Sequence, residues 1–281
     1  MNIPVRLLEE CSRWFPNCWK YIENGRHLKE SGEITWPDWC FTPTDGWVAV
    51  AQQTSQEGVP AAYLKATVLE SVGTWRYSKG IYRFDPTLYA ELLKTSGGDR
   101  VPSEVLYRLP QFAIYIETPR YPIDECVSNA YQHGFFASLA YHSETKECIL
   151  RLLLVAEDIH TMPFPVEIEL GHHTIAEGIL AGVVSMNKRR GITWGVPSED
   201  GKFITDPNHP KFLERINKMV EGVVPLVSLI VYLCSENPDI MTGDKPTTPR
   251  SPVMTKTKKG DRLFQASSTT VWDVGVRLGA A

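Results

Sequence analysis

The chain has few cysteines and no C-x-x-C pair. Its six thiols, Cys11, Cys18, Cys40, Cys126, Cys148 and Cys234, are scattered along 281 residues. This excludes a disulfide scaffold and supplies neither a zinc nor a thioredoxin-like spacing. The N-terminus has no signal-peptide core, because Glu9 and Glu10 interrupt its apolar run. The thiols are therefore expected to be reduced and structural. Long apolar runs are also missing. The longest, Val223 to Cys234, holds 12 residues and includes Pro225 and Ser228. A bilayer span needs about 20, so this run reads as a buried core helix and the protein as cytoplasmic. A surplus of positive charge is absent too: the net charge is −4 and the pI near 6.0. That disfavours a general nucleic-acid binder.

Recognisable catalytic patterns are lacking. There is no phosphate-binding P-loop, no dinucleotide fingerprint, no nucleophile elbow and no H-E-x-x-H pair. His172 and His173 are adjacent, so their side chains diverge and one metal ion would rarely take both. Glu157, Asp158 and His160 have no fixed third ligand and read as a solvated strand end. No metal and no cofactor are expected.

What is present is a globular composition, 43% hydrophobic and 22% charged. Leu7, Leu8, Cys11, Trp14, Phe15 and Trp19 keep helical spacing, with Pro16 set to kink that helix or begin another. Trp36 to Cys40 reads as a packed loop, and Ala61 to Val72 as a helix. Asp85-Pro86 starts a helix by capping and by proline at its first turn. Phe112 to Glu117 is a predicted strand. Gly134 to His142 and Glu147 to Val155 flank a four-residue polar turn and predict a β-hairpin. Val166 to Leu170 alternates as a strand. Thr174-Ile175-Ala176-Glu177 has the capping-box form and opens a helix. Pro210 to Cys234 is the strongest predicted helix, kinked at Pro225.

These elements predict an α+β fold: a mixed, mainly antiparallel sheet packed by helices, with a helical N-terminal region and a long C-terminal helix. Residues 1–241 form the expected single domain, helical over about 1–72. Residues 242–270 read as a flexible basic arm and 271–281 as a short closing helix. Between Thr242 and Arg262 there are six Lys/Arg against two Asp/Glu, so the rest of the chain carries −8. Contact with RNA or the ribosome, if any, is expected at Lys188, Arg189 and Arg190 or at Lys256, Lys258 and Lys259. The alternatives are a helix C-terminus and a soluble arm.

Trp75 to Asp85 packs one Trp, two Tyr, a Phe and three cations into eleven residues. Such a mixture suits a groove gripping a peptide by aromatic and cation–π contacts. From the residues alone it suits a buried strand with an amphipathic edge better than a groove. The candidate peptide-binding residues are Trp75, Arg76, Tyr77, Gly80, Tyr82 and Arg83, with Tyr115 and Glu117 from the following strand.

Four stretches carry a family resemblance. They are Gly73-Thr74-Trp75-Arg76 with Gly80-Ile81-Tyr82 and Asp85; Leu109-Pro110 leading into Ile114-Tyr115-Ile116; Pro225 to Cys234 followed by Glu236-Asn237-Pro238-Asp239-Ile240; and Gly275-Val276-Arg277-Leu278-Gly279. In order and approximate spacing the chain resembles the type V-A anti-CRISPR protein 2 family of phages and plasmids. Residues 1–60 match poorly, and the basic, His- and Trp-rich segment that the family carries beyond the last stretch is not in this sequence. The resemblance implies an inhibitor that recognises the N-terminal polypeptide of a type V-A CRISPR effector nuclease as it is made. It further implies lowered production of that nuclease through loss of its mRNA. The partners so implied are that nascent segment and, with it, the ribosome or mRNA. Two other readings stay open: a ribonuclease using His160, His172, His173, Glu157 or Asp158, and a mobile-element regulator with an unrelated target.

Overall fold

In the computed structural model, residues 2–55, 58–95, 100, 102–122, 131–156, 163–198, 201–258 and 260–279 are described. Four helices lead: α1 (Ile3–Trp14), α2 (Cys18–Glu30), α3 (Thr44–Ser55) and α4 (Val59–Trp75). Pro16 thus lies in the break between two helices. Then come β1 (Gly80–Phe84), α5 (Pro86–Leu93), α6 (Ser103–Leu106), β2 (Ala113–Pro122), β3 (Tyr131–Tyr141), β4 (Cys148–Ala156), β5 (Phe164–Glu169) and α7 (Ile175–Arg190). The remainder is β6 (Val196–Pro197), β7 (Phe203–Ile204), α8 (Pro210–Leu233), β8 (Ile240–Thr242), β9 (Lys245–Pro246), β10 (Thr255–Thr257), β11 (Gly260–Arg262), β12 (Thr270–Val274) and α9 (Val276–Gly279).

One sheet runs β5-β4-β3-β2-β1-β12-β8-β9. Only β1 is parallel to its neighbours, β2 and β12; the other pairs are antiparallel. The fold is therefore α+β with a mixed, mainly antiparallel sheet. The two-residue period of a strand sorts side chains into two cores. Ile114, Ile116, Phe135 and Leu152 join α7 and α8 on one face. Ala113, Tyr115, Phe136 and Leu153 join α1 to α4 on the other. Strands covered on both faces read as near-continuous apolar runs, as FAIYI and CILRLLLV do. Among the described residues α8 is the one helix long and apolar enough to cross a membrane. Here its Phe212, Ile216, Val223, Leu226 and Leu229 are buried in the core.

Local signals hold where chemistry fixes them. Asp85 caps α5, accepting from the backbone N–H of Thr87 at 2.9 Å and of Leu88 at 3.3 Å. Thr174 and Glu177 form the reciprocal capping box, each bond 3.1 Å. Cys11, Cys18, Cys40 and Cys234 are buried. Burial pushes the Cys18 thiol up to about 11 and Cys234 up to about 12, so neither is a thiolate near neutral pH. Cys126 lies outside the described residues.

Two expectations change. The closing helix shrinks to Val276–Gly279, because Thr270–Val274 is a strand inserted between β1 and β8. Nor does the 242–270 segment hang in solvent. Ser251 Oγ accepts from the Phe112 N–H at 2.7 Å, and the Ala266 N–H donates to the Tyr77 carbonyl at 3.1 Å. The segment is strapped along the sheet because its end supplies an interior strand. Asp239 secures the turn after β12. It is buried, and it accepts from the Arg277 N–H at 2.9 Å and from Arg277 Nε at 2.6 Å. Gly275 has φ +81°, and a Cβ there would run into Leu88. The third and fourth stretches of the resemblance are thus one structural clasp.

Beneath α3 and α4 lies a buried polar network. Arg151 of β4 pairs with Glu70 of α4 and, at 2.8 Å, with Glu167 of β5. Thr44 Oγ1 donates to Glu70 and Tyr63 Oη to Glu167, each at 2.8 Å. At its edge Asp45 accepts from the Ser143 N–H at 2.7 Å and Ser143 Oγ at 2.6 Å, with His142 Nδ1 at 3.5 Å. Burial works to raise the Asp45 pKa, but these donors outweigh it and hold the carboxyl well below the usual range. A depressed acid stabilises the fold above its unfolded value of about 3.9 and loses that contribution as pH falls through the folded value. Thermal melts from pH 7 to pH 2 should therefore show a decline below about pH 4 that Asp45→Asn flattens. The same substitution should lower the melting temperature at pH 7. An unchanged acid limb in the variant would remove Asp45 from the cause.

Candidate functional site

The structure divides the eight peptide-binding candidates. Trp75 and Tyr82 are fully buried and line no cleft described here, whereas Tyr77, also largely buried, borders a separate cleft beside α2. Trp75 Nε1 donates to the Gly80 carbonyl at 2.8 Å, and the ring meets Phe136 edge-on. Tyr82 Oη donates to Gln111 Oε1 at 3.1 Å. Arg76 lies over the Trp19 and Tyr77 rings and donates to Glu23 at 2.6 Å, tying α4 to α2. Gly80 leaves no room for a side chain against Gln111 and Trp272. The physical reasons follow the elements: Trp75 closes α4 against the sheet, and Tyr82 lies in β1, an interior strand with a core on each face. At Trp75, Gly80 and Tyr82 the expected groove is replaced by packing.

The other three candidates come together. The β1–β2 ladder holds only Ile81–Tyr115 and Tyr82–Ile116. Beyond it β1 turns at Asp85 into α5, while β2 continues through a bulge between Glu117 and Tyr121. A cleft of about 580 Å³ opens where the strands part. Its floor is Phe84 and Tyr115; one wall is Asn2 to Pro4 at the start of α1. Pro86 and Tyr89 of α5, with Thr118, Pro119 and His133, complete the lining. Arg83 and Glu117, 56% and 37% exposed, meet at the mouth with Nε donating to Oε2 at 2.7 Å.

The position is where ligands enter many open sheets, outside the carboxyl ends of parallel strands and beside helix N-termini. Its chemistry is that of binding: an apolar floor and one aligned Arg–Glu pair. Among the described residues no group of three or more His, Cys, Asp or Glu is placed to hold a metal ion. His172 lies 3.6 Å from Glu169 in the loop before α7. Glu157, Asp158 and His160 fall outside the described residues.

The basic candidates do not form one surface. Lys188 is exposed near the end of α7, which packs on the α8 side of the sheet. Gly191 then ends that helix in the left-handed conformation, its N–H donating to the Met186 carbonyl. The side chains of Arg189 and Arg190, and Lys259 entirely, lie outside the described residues. Lys256 and Lys258 are exposed on a separate two-stranded ribbon of β10 and β11. The ribbon's continuation, Leu263, packs on the opposite core, with α1 to α4.

Comparison with known proteins gives the cleft its context. The model of the AcrVA2-like family, described as the anti-CRISPR type V subtype A2 family, matches residues 82–281. The chain belongs to the anti-CRISPR type V subtype A2 family. The match opens at Tyr82, so it takes in Arg83, Glu117 and the C-terminal clasp and leaves out α1 to α4. The crystal structure of AcrVA2 superposes on the whole of this chain and 86% of that one, with a TM-score of 0.68 at 17% identity, a likeness of fold. Protein FinQ of Escherichia coli is 23% identical over 214 residues, 74% of this chain. The chain spans 58% of that relative's length. For this anti-CRISPR-like protein, sequence reasoning missed the cleft walls: Asn2 to Pro4 and His133 carry no local signal, being joined to β1 and β2 only by topology.

Proposed function

We propose that this protein inhibits type V-A CRISPR immunity by recognising the N-terminal polypeptide of the effector nuclease. Recognition takes place in the host cytoplasm and lowers production of the nuclease by promoting loss of its mRNA. The observation that carries the reading is the cleft at the ends of β1 and β2. Its apolar floor takes side chains of an extended segment, and the Arg83–Glu117 pair at its mouth orients the segment's polar groups. Family membership supplies the CRISPR context. Of the residues named for a ribonuclease, His172 and His173 sit in the loop before α7, and Glu157, Asp158 and His160 lie outside the described residues.

A reporter carrying the effector's N-terminal coding segment tests this, with protein and mRNA both measured. Co-expression should lower both. A compensated frameshift across the segment keeps the RNA nearly unchanged and replaces the peptide, so it should abolish the effect. Equal loss from the frameshifted reporter would exclude peptide recognition.

A further inference from the structure

A second cleft, at the other end of β1, bears on a different ligand. It measures about 360 Å³ and lies between α2 and the strapped C-terminal segment. Arg26 and His27 of α2 line one side, and Arg262, Phe264 and Gln265 the other. Leu263 packs into the core while its neighbour Phe264 is 56% exposed, so the alternation presents an aromatic face to solvent. The carboxylates in the wall are already engaged: Glu23 by Arg76 at 2.6 Å, and Glu30 by His27 at 3.0 Å. Arg262, Lys256 and Lys258 make no ion pair among the described residues and are exposed.

We infer that this cleft and the β10–β11 ribbon form a binding surface for single-stranded nucleic acid. Phe264 offers a stacking platform for one base, which every base can use because each has a π-face. Arg262 and the ribbon lysines follow the phosphates. Asn24 and Gln265 place amide donors and acceptors beside the stacked base. Outside residues 242–262 the chain carries a net −8, which disfavours a polyanion over the rest of the molecule taken together. An acidic peptide would satisfy the cations but would leave the exposed ring unused. This surface is separate from the peptide cleft and stands without it.

Fluorescence anisotropy with the full chain and labelled oligouridylate of about 12 nucleotides tests the inference, beside oligothymidylate, a duplex and a polyglutamate peptide. Single strands should bind at low salt, more tightly than the duplex or the peptide; the uridylate-to-thymidylate ratio reports whether the ribose hydroxyl is read. Phe264→Ala should weaken binding about tenfold with the salt slope and the thermal transition unchanged. Lys256→Ala with Lys258→Ala should reduce the slope of log K against log salt by about 1.4. Absence of binding, preference for the duplex or the peptide, or unaltered affinity in both variants would each overturn it.

Discussion

Replacing Arg151 with alanine is expected to destabilise the protein by about 3–5 kcal/mol, among the largest losses a single surface-silent change can cause here. Arg151 is fully buried between Glu70 and Glu167, which are buried as well. Burial pushes the Glu70 carboxyl up even with Arg151 beside it. Without the guanidinium, two buried carboxylates lose the cation that pairs them. Each must then take a proton or disrupt the packing. The loss therefore carries a pH signature. A group whose folded pKa is raised contributes stability that is present below its unfolded value and lost as pH rises. Urea titrations of Arg151→Ala should show stability improving from pH 8 to pH 5. A loss under 1 kcal/mol, or one indifferent to pH, would mean that the network does not hold α3 and α4 to the sheet.

Trp75→Ala should cost about 3–5 kcal/mol, the range for emptying a large aromatic site. The ring is 0% exposed, so a ligand-binding loss cannot come first. The melting temperature should fall on the order of 10 °C, and peptide binding should weaken only as the folded fraction does. Arg83→Ala has the opposite profile, because its side chain is half exposed and its ion pair is with the surface residue Glu117. Its melting temperature should stay within the small range of surface substitutions while binding falls. If Trp75→Ala instead melts normally and abolishes binding, the assignment of Trp75 to the core at the end of α4 fails.

The contrast between these residues shows what a sequence can disclose. Where a rule is local, the reading and the structure agree: Asp85 and Thr174 cap helices because side-chain oxygens meet backbone N–H groups within three residues. The hairpin of β3 and β4 was legible from two apolar runs flanking a polar turn. Thr270–Val274 was not, because its five residues have the length of a terminal helical turn and only pairing with β1 and β8 makes them a strand. The helix α3 was missed because its apolar residues make a weak stripe. Within the candidate site, Arg83 and Glu117 are 34 positions apart and meet only through strand register. Aromatic richness in Trp75 to Phe84 was visible, but burial decided its meaning, and burial belongs to the whole sheet. The four resemblance stretches pointed to the family because they record that global arrangement in one pattern.

The central claim is that the cleft bounded by Arg83 and Glu117 takes the effector's N-terminal segment. Isothermal titration of that synthetic peptide into the full chain, and into Arg83→Glu, tests it most directly. The account predicts saturable binding to the native chain at micromolar concentrations, about −8 kcal/mol, and at least tenfold weaker binding to the variant at an unchanged melting temperature. No heat at tens of micromolar, or equal affinity in both proteins, would contradict it.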